Sequence, residues 1–271
     1  MLFLLVTTLI SLITDFLLIH YLGIKWYFHL LLLIGIYFVL ILLVIFVTYF
    51  YGLIFANRKK ENVRPKKFFG FIVHMLCRYI TTIFNLKIKG IGFEKLEGKK
   101  YLFVSNHQSM MDPITIISSM KRIDLTFIMR ENITKLPVIG PALVSCGFLP
   151  INRENNREGL KTIVNAIHRV EAGYPVGIFP EGKRSKGPNI GKFHDGAFKI
   201  AIKAQSDIAV LVIDDEYKIH KNAPFIRTKV YVKLCEIMKY DEIKDMKTNE
   251  IGEKVIEIMK KGLEELRENH I

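Results

Sequence analysis

Cysteine is scarce in this sequence: Cys77, Cys146 and Cys235 are far apart and odd in number. No C-x-x-C pair exists, so they outline neither a zinc site nor a disulfide framework. They read as reduced thiols, since disulfides belong to oxidising compartments. Charge is missing from the opening stretch, where Asp15 and Lys25 are the sole Lys, Arg, Asp or Glu residues between Met1 and Ala56 and cancel one another. The formal net charge of +13 therefore belongs to residues 57–271. No internal repeat interrupts the chain, and no low-complexity stretch lies beyond the apolar head. A length of 271 residues with a mean hydropathy of +0.25 suits one folded domain plus a membrane anchor better than two soluble domains. A basic body on an apolar anchor fits anionic partners at a membrane surface. Nucleic acid would satisfy the charge as well, but the anchor argues against it.

Two apolar runs, Leu2 to Leu22 and Leu30 to Phe55, are separated by Gly23–His29. As helices they would reach roughly 31 Å and 39 Å, against a hydrocarbon core of about 30 Å. The second run has no ionisable group except tyrosine, and Trp26, Tyr27, Tyr49 and Tyr51 near its ends suit the bilayer interfaces. The first carries Asp15 and His20. A mid-bilayer charge costs about 2.5–3.5 kcal/mol, so Asp15 is expected to be paired, interfacial or protonated. The run lacks the basic n-region of a signal peptide and is too long for an h-region. Arg58, Lys59, Lys60, Arg64, Lys66 and Lys67 follow the second run, which by the positive-inside rule places that side in the cytoplasm. The expectation is a transmembrane hairpin over residues 1–56, a basic linker over 57–84, and a cytoplasmic domain over 85–271. Phe68 to Phe84 has near-helical apolar spacing. It reads equally as an interfacial helix or as one packed on the domain.

Beyond Asn85 short apolar or β-branched runs alternate with helical patterns. Strands are expected at Tyr101–Ser105, Leu125–Met129, Val176–Phe179, Ile208–Ile213 and Lys229–Leu234. Helices are expected at Pro113–Met120, Arg157–Ala172, Gly196–Ala204 and Asn249–Glu268. The alternation implies an α/β domain with a central mixed sheet flanked by helices.

Directly after the first of these strands stands Asn106-His107-Gln108-Ser109-Met110-Met111-Asp112. Five residues separate His107 from Asp112, about 140° on a regular helix, so the two cannot share a helical face. They can meet if His107 lies on the loop leaving a strand and Asp112 opens the next helix. Asp112-Pro113 has the form of an N-cap with proline in the first turn, so Asp112 has a capping reading beside the chemical one. Gly147-Phe148-Leu149-Pro150-Ile151-Asn152-Arg153 ends a strand-like run on one arginine. Phe179-Pro180-Glu181-Gly182-Lys183-Arg184-Ser185 follows a strand with one carboxylate and two cations.

On these motifs, in this order, roughly residues 70–240 resemble the lysophosphatidic acid acyltransferases of the glycerolipid acyltransferase family. N-H-x-x-x-x-D stands intact at Asn106, His107 and Asp112. G-x-x-x-I-x-R is matched by Gly147, Ile151 and Arg153. F-P-E-G-T-R-S is matched at Phe179, Pro180, Glu181, Gly182, Arg184 and Ser185, with Lys183 in place of the threonine. Ala209 replaces proline in the fourth motif. The resemblance implies acyl transfer from acyl-CoA or acyl carrier protein to a lysophosphatidic acid hydroxyl, without metal or other cofactor. His107 would be the general base and Asp112 its orienting carboxylate. The expected substrate-binding set is Asn106, Arg153, Glu181, Gly182, Lys183 and Arg184. The cations would hold phosphate, Glu181 would orient an arginine or accept from the glycerol, and Gly182 would serve backbone shape. Acylation of glycerol 3-phosphate or another lysophospholipid, water activation by His107, and anionic-lipid binding without turnover are the competing readings.

Overall fold

The computed structural model describes residues 67–268 apart from 98–99, 121–122, 137–139, 141–142 and 145, with scattered positions between 8 and 46. The chain divides into two units, residues 1–59 with 134–145, and residues 60–133 with 146–271. In the first unit the described positions between 8 and 46 are helical. Among the described residues no helix is long and apolar enough to cross a membrane. Most of the two expected spans, Asp15 with them, and residues 57–66 of the basic linker lie outside the described residues.

The second unit is an α/β layer structure. Helix α1 (Lys67–Ile83) leads into β1 (Leu86–Ile91), followed by β2 (Tyr101–Ser105), α2 (Asp112–Ser119) and β3 (Thr126–Arg130). Then come β4 (Leu149–Ile151), α3 (Asn156–Glu171), β5 (Val176–Ile178), α4 (Lys199–Ala204) and β6 (Asp207–Asp214). Short α5 (Ile219–Asn222) precedes β7 (Thr228–Met238), and α6 (Tyr240–Ile243) and α7 (Thr248–Glu268) close the chain. The seven-stranded sheet runs β1-β7-β6-β2-β5-β3-β4. Every neighbouring pair is parallel except β6 with β7. It is the mixed sheet the alternating pattern implies.

Central β2 and β6 are covered on both faces, which is why they read as continuous apolar runs rather than as alternation. Strand β7 alternates instead, burying Val230, Val232 and Leu234. It extends well past the expected Lys229–Leu234, through Cys235-Glu236-Ile237-Met238. There the sheet bulges between Val210 and Leu211 of its partner. Strand β1, Leu-Lys-Ile-Lys-Gly-Ile, was not expected; it is an edge strand whose two lysines face outward. Helix α1 packs on α2 and β1, which favours the packed reading of Phe68–Phe84.

Gly177 on β5 is paired with Phe127 on β3, and the aromatic ring lies over the bare glycine. A Cβ there would stand 2.3 Å from Phe127 Cε1. Gly177→Ala is therefore expected to cost about 1–3 kcal/mol through overpacking. At roughly 2–4 °C per kcal/mol, the melting temperature should drop by several degrees. Calorimetry of the purified protein checks this.

Candidate active site

Because β2, β3, β4, β5 and β6 all run parallel, their carboxyl ends share one edge of the sheet, the side on which open α/β folds bind ligands. His107 follows β2 by two residues, Arg130 ends β3, Arg153 follows β4 by two, and Glu181 follows β5 by three. Residues distant in sequence are thus collected by topology alone.

The loop leaving β2 is tied down first. Asn106 is buried, and its side-chain amide donates to Ile213 O (2.9 Å) and accepts from Ile213 N (2.8 Å). The amide expected to bind substrate instead extends the pairing of β2 with β6. Asp112, fully buried at the first residue of α2, turns back over this loop. Its Oδ2 accepts from the backbone N–H of Gln108 at 2.7 Å and of Ser109 at 2.9 Å, and lies 2.6 Å from His107 Nδ1. No side-chain cap of α2 is made, so the capping expectation is corrected: Asp112 bonds backward to the loop. With Nδ1–H donating to Asp112, neutral His107 keeps Nε2 as its free base.

Aromatic rings form one wall. The His107 ring stacks on Phe179 with centroids 4.3 Å apart, and Phe179 stacks on Phe127 at 5.2 Å. Burial holds the His107 pKa at about 4, below its ordinary value of 6.5; Glu181 opposes the shift, and Arg184 and Arg153 reinforce it. For Asp112, burial raises the carboxyl, against the pull of the Ser109 and Gln108 N–H groups.

Glu181 has a different task from the one expected. Its Oε1 accepts from His107 N at 2.7 Å and its Oε2 from Gly191 N at 2.7 Å. Buried and held at both oxygens by main chain, it braces the loop of His107 against the loop after the Pro-Glu-Gly turn. A Cβ on Gly191 would fall 2.6 Å from Glu181 Oε2, so glycine permits the close approach. Ser185 N completes the brace by donating to His107 O at 2.7 Å. Gly182 adopts φ 70°, where an L side chain is strained, and its missing Cβ would lie 3.2 Å from Arg153 Nη1 and 2.9 Å from His194 Cδ2. Glycine meets that backbone conformation without strain. Ser109 is buried, and its Oγ accepts from Met111 N at 3.2 Å.

The cations gather around His107. Arg184 is half-buried and close enough for its charge to act on both His107 and Asp112; Lys183 beside it is exposed. Arg153 has its pKa lowered by partial burial and by the neighbouring charge of Arg130. Arg130 escaped the reading of the sequence. Its one signal was a lone charge closing the apolar run Thr126–Met129. Among the described residues no three His, Cys, Asp or Glu side chains could hold a metal ion.

The edge thus sets a half-buried imidazole beside arginines for which no salt bridge to a carboxylate is found among the described residues. Residues 87–214 match the family described as acyltransferase. The chain is 32% identical over 149 residues to a chloroplastic 1-acyl-sn-glycerol-3-phosphate acyltransferase of Arabidopsis thaliana, a match covering 55% of this chain and 41% of that one. A protein of the same enzyme name from Helicobacter pylori is 29% identical over 192 residues, covering 69% of this chain and 75% of the other. The chain thus spans about two-fifths of the Arabidopsis protein and three-quarters of the Helicobacter one. The crystal structure of the 1-acyl-sn-glycerophosphate acyltransferase PlsC from Thermotoga maritima shares the fold. Its TM-score is 0.64 at 22% identity, covering 81% of this chain and 90% of that one.

The depressed His107 pKa has a direct consequence for rate. Only the neutral ring can accept a proton, and with a folded-state pKa of about 4 it stays neutral as pH falls through 6.5. For any reaction in which His107 is the base, the acidic limb of kcat/KM, which reports the free enzyme, is therefore expected between pH 4 and 5 rather than near 6.5. A pH series with a substrate that does not titrate in that range measures it.

Proposed function

We propose that this protein is an O-acyltransferase that transfers a fatty acyl group from acyl-CoA or acyl carrier protein to the free hydroxyl of lysophosphatidic acid, giving phosphatidic acid. The single observation carrying this reading is the His107–Asp112 pair set among Arg130, Arg153 and Arg184, a base beside a site for phosphate. Nε2 of His107 removes the hydroxyl proton as the oxygen attacks the thioester carbonyl carbon. Asp112 stabilises the imidazolium through Nδ1–H. The tetrahedral intermediate collapses, the C–S bond breaks, and the imidazolium returns its proton to the departing sulfur. With a thiol pKa of about 8.5, that group leaves without a strong acid. Base catalysis of this kind contributes about 10²–10⁴-fold. Neither donor requires a bound cofactor.

Guanidinium groups suit phosphate because they stay charged and donate as a fork. Arg130 and Arg153 repel one another when the site is empty, and an anion between them relieves that cost. Assaying the purified protein against a panel of lysolipids with both donors tests the assignment. His107→Ala should lose at least about a hundredfold in turnover while staying folded. Arg130→Gln, Arg153→Gln and Arg184→Gln should each raise the acceptor KM about ten- to 150-fold, the equivalent of roughly 1.5–3 kcal/mol for a charge-assisted bond. The thioester KM should move far less. Equal losses on a phosphodiester lysolipid would overturn the choice of acceptor, and thioester hydrolysis without lipid product would indicate water as the nucleophile.

The same reading includes the N-terminal hairpin, with spans near 2–22 and 30–55 and the enzyme on the cytoplasmic face. It is supported by the apolar side chains of the described positions there: Phe16, Leu31, Ile34, Phe38, Val39 and Leu43 are all exposed. Apolar surface on this scale calls for lipid or a partner. In a cysteine-free background, a single cysteine at position 26 should react with an impermeant reagent added to intact cells. Reaction only after lysis would contradict the hairpin.

A further inference from the structure

Strand β7 is antiparallel to β6 and parallel to β1, so the starts of β1 and β7 lie at the same sheet edge as His107. Two apolar pairs stand there in the open. Ile83 and Phe84, at the end of α1, are 50% and 37% exposed, and Phe225 and Ile226, ahead of β7, are 92% and 61% exposed. The two segments meet: Thr228 N donates to Asn85 O at 3.1 Å, and Arg227 Nε donates to Asn85 Oδ1 at 3.3 Å. A side chain as large as Phe225 left almost wholly in water costs free energy that the fold does not recover.

The two segments are themselves basic. Residues 83–91 and 220–231 contain no Asp or Glu and hold Lys87, Lys89, His220, Lys221, Arg227 and Lys229. Lys87 and Lys229 sit opposite each other in register, both exposed. Lysines on β1 also guard an open sheet edge, but Phe225 and Ile226 have no such task. Apolar tips within a ring of cations complement a surface that is anionic outside and hydrocarbon beneath.

We propose that Phe225 and Ile226, with Ile83 and Phe84, insert into an anionic lipid bilayer and set the active-site edge of the sheet against it. This rests on the reading that the acceptor is a membrane lipid. It adds a second contact, built by the catalytic domain itself, that orients the His107 edge toward the substrate's own phase.

The test uses the full chain in vesicles of phosphatidylglycerol and phosphatidylcholine, with Trp26→Phe removing the single native tryptophan. In that background Phe225→Trp supplies the probe and Lys203→Trp, exposed just ahead of β6 at the opposite edge, the control. Brominated acyl chains should quench emission from position 225 and leave position 203 unquenched, with acrylamide giving the reverse order. Equal behaviour at the two positions, or an unquenched probe at 225, would overturn the insertion. This readout needs no turnover, so it stands or falls apart from the acyltransferase reading. In a second arm the double variant Phe225→Ser, Ile226→Ser, whose exposed sites leave the core intact, should lose about five- to tenfold in rate on vesicle-embedded acceptor. Its rate on a short-chain acceptor dissolved in water should stay unchanged, and equal losses on both would likewise overturn the proposal.

Discussion

The site depends on one buried carboxylate. Asp112 is withdrawn from water, which is unfavourable for a charge, and three N–H groups converge on it in compensation: the His107 ring and the Gln108 and Ser109 main chain. Each of these bonds also shapes the loop, so the group that orients the base is the group that folds the segment carrying it. The five-residue spacing follows. A shorter loop could not return the carboxylate to His107, and a helix through these residues would turn the two side chains apart.

Around that carboxylate, side chains serve main chain more than ligand. Glu181 joins His107 N to Gly191 N, and Asn106 joins the end of β2 to Ile213 of β6. Gln108 accepts from Glu216 N, and Glu216 in turn accepts from Thr115 of α2. Asp214, at the end of β6, is gripped by Arg267 of α7, whose guanidinium also reaches Pro188 O beyond the Pro-Glu-Gly turn. The loops of the catalytic edge are thereby fastened to strands and to the C-terminal helix. Base catalysis requires that fixity, because a base displaced by an ångström loses much of its advantage.

Much of the architecture was legible because the physics behind it is local. Buried parallel strands leave apolar runs, helices leave a 3.6-residue period, and His107 and Asp112 lie within one short stretch from the loop after β2 to the start of α2. What escaped was of two kinds. Strand β1 is six residues with two lysines and a glycine, too polar to stand out until β7 pairs with it. Side-chain roles at motif positions escaped as well. A motif records that Asn106 and Glu181 are required without recording which way they face, and both turn toward backbone. Arg130 was passed over for the complementary reason. Its place beside Arg153 comes from the register of β3 on β4, a long-range fact that no window of sequence contains.

The cations and the base are not independent parts. Burial is the main cause that lowers the His107 pKa, and Arg184 and Arg153 add to it by repelling the imidazolium. A base depressed so far is neutral at every physiological pH, but it is also weak, and it attracts a hydroxyl proton poorly. Under the proposed function, a phosphate bound between the arginines would offset their share of that depression, while the larger share, from burial, stays in place. The imidazolium then becomes less costly to form when an acceptor hydroxyl is present. In that reading recognition and reactivity are coupled in part through Coulomb's law, and phosphate-binding groups remote from the histidine would lack that coupling.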